Sequence, residues 1–265
     1  MKQSQFYYLL RRGLFSGGSS IIKNGLVMFN KFTTAGLNFP VQGSAAFNGT
    51  SDFIDMGEKN IATDLGITNA FTFGAWANYK EDGDFDGILT MWDNSGSQIF
   101  WFGFDSNEKF HYNISLSGGD KARNIVSVPT SEWVYVNLTY NGSNLKLFLN
   151  GSNVDTISAT GTVDFRGAGL SERLYIGSQT DPFNGNLANV SIWNRALTSD
   201  EINSVMWKPY QALSATESNG LQAWYSLDDI TSPAASLANM EQLATDKNAT
   251  IENANAITSA INKLS

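Results

Sequence analysis

From about residue 40 to about residue 195, short apolar runs are broken repeatedly by Asn, Gly, Ser and Asp, and none of these runs carries a helical period. Across Ala70–Ala77 a period of two puts Phe71, Phe73 and Ala75 on one face. Trp133–Tyr140 alternates in the same way, with Val134, Val136, Leu138 and Tyr140 set against Trp133, Tyr135, Asn137 and Thr139. The turn Asn141-Gly142-Ser143 leads from it into Asn144–Leu149, and Asn150-Gly151 leads on into Val154–Ile157. Asn-Gly between two such runs signals a hairpin, because both turn positions favour positive φ. Ala45 and Phe47 on one side and Phe53, Ile54 and Met56 on the other flank the turn Asn48-Gly49-Thr50-Ser51-Asp52, and Ile88–Trp92, Ile99–Phe104 and Lys109–Leu116 supply further strands. This spacing predicts an all-β chain, a two-sheet antiparallel jelly-roll sandwich.

Helix is scarce. Leu197–Ile202 reads as one short helix with Thr198 or Ser199 as its N-cap and acids in its first turn. Ile257, Ala260, Ile261 and Leu264 have the spacing of a terminal amphipathic helix. The organisation expected is an amino-terminal arm at 1–20, a jelly roll at 21–210 and a carboxy-terminal extension at 211–265 that returns a strand to the sandwich.

The residue inventory narrows the chemistry. There are no cysteines, which removes disulfides, thiolate metal sites and Cys nucleophiles together. The single histidine, His111, removes multi-His metal sites and reads as a structural residue between Phe110 and Tyr112. A net charge of −8 with sparse Lys and Arg argues against nucleic acid as a partner. No run is apolar for long enough to predict membrane insertion by a helix. Phe6–Leu10, followed by Arg11-Arg12, is too short for the core of a signal peptide.

The order of motifs resembles laminin-G-like, concanavalin-A-like jelly rolls, with a pentraxin-like closing segment. Ala46–Asp55 resembles their first strand pair and Phe71–Trp76 their next strand. Trp133–Gly142 with Leu145–Gly151 resembles their central hairpin. Leu174-Tyr175-Ile176-Gly177 followed by Phe183–Leu197 resembles their Gly-rich bend, strand and short helix. The resemblance covers roughly residues 40–205 and implies a module that binds glycans or proteins, often with calcium.

Two loop sets are candidate calcium ligands. Asp82, Asp84 and Asp86 alternate around Gly83, with Asp93 at the twelfth place, as in a calcium loop. The pentraxin-like resemblance implies a second set, Asp93 and Asn94 with Gln179 and Asp181, although an acid expected at the Gln179 place is absent. Trp92, Trp101 and Tyr112 are candidate sugar-stacking aromatics. Glucanases that share the fold carry acids at alternate positions of one strand, and no such run occurs here, so the expectation is no enzyme. The function expected is a binding module displayed on a virus particle, a bacteriophage capsid or tail, that adheres to host surface glycans. Tyr7, Tyr8, Arg11, Arg12 and Phe15 of the arm would dock it on other virion subunits, and homo-oligomers are among the expected assemblies. The alternative is a secreted or surface-attached bacterial lectin-like adhesin.

Overall fold

The structure is a computed structural model that describes residues 43–93, 95–163 and 172–227, all within one compact unit of the chain. The arm residues Tyr7, Tyr8, Arg11, Arg12 and Phe15, together with Asn94 and the terminal helix expected near 257–264, lie outside the described residues.

The strands run in chain order: β1 (Ala45–Asn48), β2 (Ile54–Glu58), β3 (Phe71–Tyr79), β4 (Asp86–Asp93), β5 (Gln98–Phe104), β6 (Lys109–Ile114), β7 (Lys121–Ser127), β8 (Trp133–Tyr140), β9 (Asn144–Leu149), β10 (Ser152–Ser158), β11 (Glu172–Ile176), β12 (Asn184–Trp193) and β13 (Leu221–Tyr225). They form two sheets. A seven-stranded sheet has the order β1-β12-β3-β8-β9-β10, with β13 also paired to β12. A six-stranded sheet has the order β2-β11-β4-β5-β6-β7. All pairings are antiparallel, so the jelly-roll sandwich expected from the alternation is the fold observed. The turns do what their residues predict. Gly142 has φ +83° at one hairpin, and Asn150 and Gly151 have φ +49° and +78° at the next.

The alternation also decides where the core sits. Phe71, Phe73, Ala75, Ala77 and Tyr79 of β3 face Phe100, Phe102 and Phe104 of β5, with the Phe73 and Phe100 rings 4.6 Å apart and those of Tyr79 and Phe104 4.8 Å apart. The other face of β3 is buried too. Trp76, Tyr135, Phe148 and Trp193 lie under α1 (Ser199–Val205), whose Ile202 and Val205 point inward. Thr198 is the N-cap, and a reciprocal capping box with Glu201 completes it. The outer face of the seven-stranded sheet is therefore largely covered. β1 pairs with the Asn184–Leu187 half of β12 and β13 with the Val190–Trp193 half, end to end along one edge.

Candidate functional site

One outer face is occupied by α1; the other carries no helix among the described residues, and strand register assigns its side chains. Gly87 pairs with Gly103, Thr90 with Trp101 and Trp92 with Gln98 between β4 and β5. Gly103 pairs with His111 and Trp101 with Asn113 between β5 and β6. Trp101 and His111 thus belong to the outward set, whereas Phe102 and Tyr112 belong to the inward one. Gly103 is required here: a Cβ on it would meet the Asp86 carbonyl oxygen at 2.0 Å and the Trp101 ring at 2.9 Å. The bare backbone lets the indole lie along the sheet beside the His111 ring, whose centroid is 5.0 Å away.

Two loops complete the site. Between β3 and β4, the Asp82 Oδ1 accepts from the Asp84 N–H at 3.0 Å and Gly83 turns with φ +84°, which carries Phe85 over the sheet. Phe85 meets Trp101 and His111 edge-on, at centroid distances of 5.8 and 5.6 Å, and is 40% exposed. After β11, Gly177 adopts φ +84° against the Phe47 ring, and the loop closes with the Phe183 N–H donating to the Gly177 carbonyl at 2.9 Å. This brings Asp181 beside the start of β4, where its carbonyl accepts from the Gly87 N–H at 2.9 Å. The Asp181 Oδ2 accepts from Trp101 Nε1 and from Thr180 Oγ1, both at 3.1 Å. Phe85, Gln98, Trp101, His111 and Asp181 line a cleft of about 260 Å³. Asn113 Nδ2 donates to Gln98 Oε1 at 2.7 Å, which leaves the two Gln98 amide donors out of that bond.

The candidates from sequence divide accordingly. Trp101 lines the cleft but is only 2% exposed, packed under Phe85 and beside His111, so it supports the wall more than it offers a face, and Trp92 stands half-buried, paired with Gln98. Tyr112 is corrected: it is 1% exposed, packed in the main core, and burial pushes its phenol well above the usual range. It lies on the opposite face of β6 from His111, since neighbouring strand residues alternate. The two metal schemes are also regrouped. Asp93 pairs with Glu172 at the far end of β4, while Asp86, Gly87 and the Asp181 loop lie at its start, roughly 20 Å away at ~3.3 Å per residue. Because β4 and β11 are antiparallel, a residue at the end of one cannot meet a loop that follows the end of the other. Asp93 instead closes its own hairpin, its Oδ1 accepting from the Ser95 N–H, Ser95 Oγ and the Ser97 N–H at 2.9, 2.6 and 2.8 Å. Gln179 is exposed in its loop.

Asp82, Asp84, Asp86 and Asp181 do share one end of the site. Asp86 is fully buried; its Oδ1 accepts from the Asn184 N–H, and its Oδ2 is a buried atom with no hydrogen-bond partner among the described residues. Burial, reinforced by the charges of Asp82, Asp84 and Asp181, pushes its carboxyl up to about 8 against the pull of the Asn184 N–H. Yet among the described residues no group of three or more His, Cys, Asp or Glu stands where it could hold a metal ion. Phe85, Gln98 and His111 were not singled out from sequence as ligand contacts. The alternation of Lys109–Asn113 placed His111 and Tyr112 on opposite faces, but only the other sheet's position says which face is open.

Residues 48–203, more than half of the chain, match the family described as the concanavalin A-like lectin/glucanases superfamily. The chain belongs to that superfamily. Among solved structures, a putative carbohydrate-binding protein from Bacteroides ovatus is similar at 20% identity and a TM-score of 0.52, over 70% of this chain and 52% of that one. This chain thus spans about half the length of that relative. The CBM40 of Ruminococcus gnavus IT-sialidase, bound to α2,3-sialyllactose, is similar at 15% identity and a TM-score of 0.50, over 63% of this chain and 99% of that one. A heptameric SAP-like pentraxin from Limulus polyphemus follows at 12% identity and a TM-score of 0.45, over 64% of this chain and 89% of that one. At these identities the likeness is one of fold. No curated protein matches the chain.

Proposed function

We propose that this superfamily member is a non-catalytic carbohydrate-binding module whose ligand seat is the cleft on the outer face of the six-stranded sheet. The observation that carries this reading is the grouping of an exposed aromatic edge with fixed polar groups. Phe85 stands over Trp101 and His111, and Asp181 and Gln98 offer an acceptor and a donor on either side. Sugars present apolar C–H patches flanked by hydroxyls that both donate and accept, which such a wall matches. At about 260 Å³ the cleft is smaller than the roughly 300–1,000 Å³ of drug-sized sites, so it suits one or two sugar residues of a longer chain. The putative carbohydrate-binding protein and the sialyllactose-bound CBM40 with the same fold support the assignment. Calorimetry against a broad oligosaccharide panel, with Phe85→Ala and Asp181→Ala, tests it. Saturable binding lost in both variants is expected, and binding to no sugar refutes it.

The finer placement is display on a bacteriophage particle, with the segment around Tyr7–Phe15 as anchor and host surface glycans as target. It is tested by incorporation of chains lacking residues 1–20 into particles. Incorporation undiminished by that truncation overturns it in favour of a free or surface-attached adhesin.

A further inference from the structure

We infer that the ligand is a neutral, linear oligosaccharide that leaves the cleft beside Gln98 and crosses the strands over Trp92 to a second seat built from Arg173 and Asp55; this rests on the carbohydrate-binding reading above. The first ground is alignment. Trp92 of β4 pairs with Gln98 of β5 on one side and with Arg173 of β11 on the other. The Arg173 side chain reaches on to β2, where its guanidinium donates to the Asp55 carboxylate. Trp92, Arg173 and Asp55 share the outer face, because their chain neighbours Met91, Leu174, Ile54 and Met56 belong to the core between the sheets. From Gln98 to Asp55 there are three strand spacings, about 14 Å at ~4.8 Å each, which is the length of roughly three linked pyranose residues. The row is continuous with the cleft, since Gln98 belongs to both.

The second ground is composition. The cleft sets a donor and an acceptor, Gln98 and Asp181, beside the exposed ring of Phe85. The far seat repeats this combination. Arg173 and Asp55 fix each other while 43% and 24% of their side chains stay exposed. Tyr175 pairs with Asp55 in register, and half-buried Phe53 stands edge-on to its ring at 5.7 Å. A guanidinium has more donors, and a carboxylate more acceptor sites, than one such contact uses, so both can still take hydroxyls. Their charges cancel, which suits an uncharged ligand.

The third ground is the link between the seats. Trp92 is half-buried and its Nε1 is inside, so the side-chain surface it shows is carbon. The C–H face of a sugar ring covers such a surface without losing a hydrogen bond. An extended peptide on the same row would lay backbone N–H and C=O groups against the indole with no partner there.

The test is calorimetry on the full chain with neutral ladders of one to six residues, built from β1,4-linked glucose, xylose or mannose or from α1,4-linked glucose. In the series that binds, affinity is expected to rise at least about tenfold from dimer to tetramer and to level off beyond it. Trp92→Ala and Arg173→Gln, each checked for a native circular dichroism spectrum, are expected to cut that rise to about threefold or less. Should Trp92→Ala unfold the sheet, Arg173→Gln at its exposed position decides alone. Phe85→Ala is expected to weaken dimer and tetramer alike. Asp200→Asn, in the first turn of α1 on the other sheet, is the control and is expected to leave the ladder unchanged. A dimer bound as tightly as the tetramer overturns the inference and leaves the carbohydrate reading standing. A length gain that survives Arg173→Gln, or binding confined to acidic sugars of the broader panel, does the same. Failure of every sugar removes both.

Discussion

Replacing Asp86 with Asn tests the energetic account of the site directly. Asp86 is sealed behind the cleft, with one oxygen on the Asn184 N–H and the other without a partner among the described residues. Its carboxyl, raised from 3.8 to about 8, keeps its proton in the folded chain across a range where the unfolded chain has lost it. The folded state then binds one more proton than the unfolded state, so stability is greatest below the unfolded value and falls as pH rises towards 8. The slope is about 1.4 kcal/mol per pH unit. From about pH 5 to about pH 7 this group alone costs roughly 3 kcal/mol. At ~2–4 °C per kcal/mol for a domain of this size, the melting temperature should drop by roughly 6–12 °C. Glu217, held down to about 2 with Lys208, Ser204 and Ser214 around it, and Glu201, lowered by Arg195, act in the opposite sense. Their stabilisation is lost only as pH falls below the ordinary glutamate range, outside this window. Asp86→Asn keeps the acceptor for Asn184 and removes the titration. Thermal unfolding by circular dichroism across the range should give a falling curve for the native chain and a much flatter one for the variant. A native curve that is level or rises over this interval, or a variant that falls equally, refutes the reasoning.

Three further outcomes follow from other parts of the structure. Tyr112→Ala should destabilise the sandwich by about 3–5 kcal/mol in urea unfolding, as for other large core aromatics, whereas Tyr112→Phe should leave sugar affinity unchanged. Gly177→Ala places a Cβ 2.4 Å from the Phe47 ring at φ +84°, so it should cost more than ~1 kcal/mol and weaken sugar binding by displacing the Asp181 loop, both measurable on one preparation. Thr198→Ala removes the N-cap of α1 and should cost about 1 kcal/mol without altering the cleft, since the helix covers the other sheet; unfolding and calorimetry together check this.

The strands were legible because alternation and Asn-Gly turns are local signals. The pattern Phe71, Phe73, Ala75 and the turns at Gly142 and Asn150-Gly151 needed no distant partner to be read. Thr198 was readable as a cap for the same reason. The site was less legible because it depends on which strand ends meet. Asp82, Asp84, Asp86 and Asp93 look like one ligand series along the chain, but an extended strand carries the last of them to the far end of the sheet. Asp181 joins the first three because its loop hydrogen-bonds to Gly87, a pairing between residues far apart in sequence. Choosing between His111 and Tyr112 required knowing which face of β6 the seven-stranded sheet covers. Phe85 reads as a loop residue among acids, and only its placement over Trp101 gives it a role.

The arrangement of β1 and β13 on one strand has a mechanical meaning. Both run antiparallel to β12, so the end of β13 at Tyr225, opposite Val190, points toward the start of β1 at Ala45, opposite Leu187. Three residue steps along β12, about 10 Å, separate the two. They amount to a single edge strand with a nick in it, and both leads of the described chain emerge at that nick. Closing it with a short linker and opening a distant hairpin such as Asn141–Ser143 should give a circular permutant with the same fold. Anything spliced to either lead hangs from the same edge of the seven-stranded sheet, whereas the cleft belongs to the other sheet.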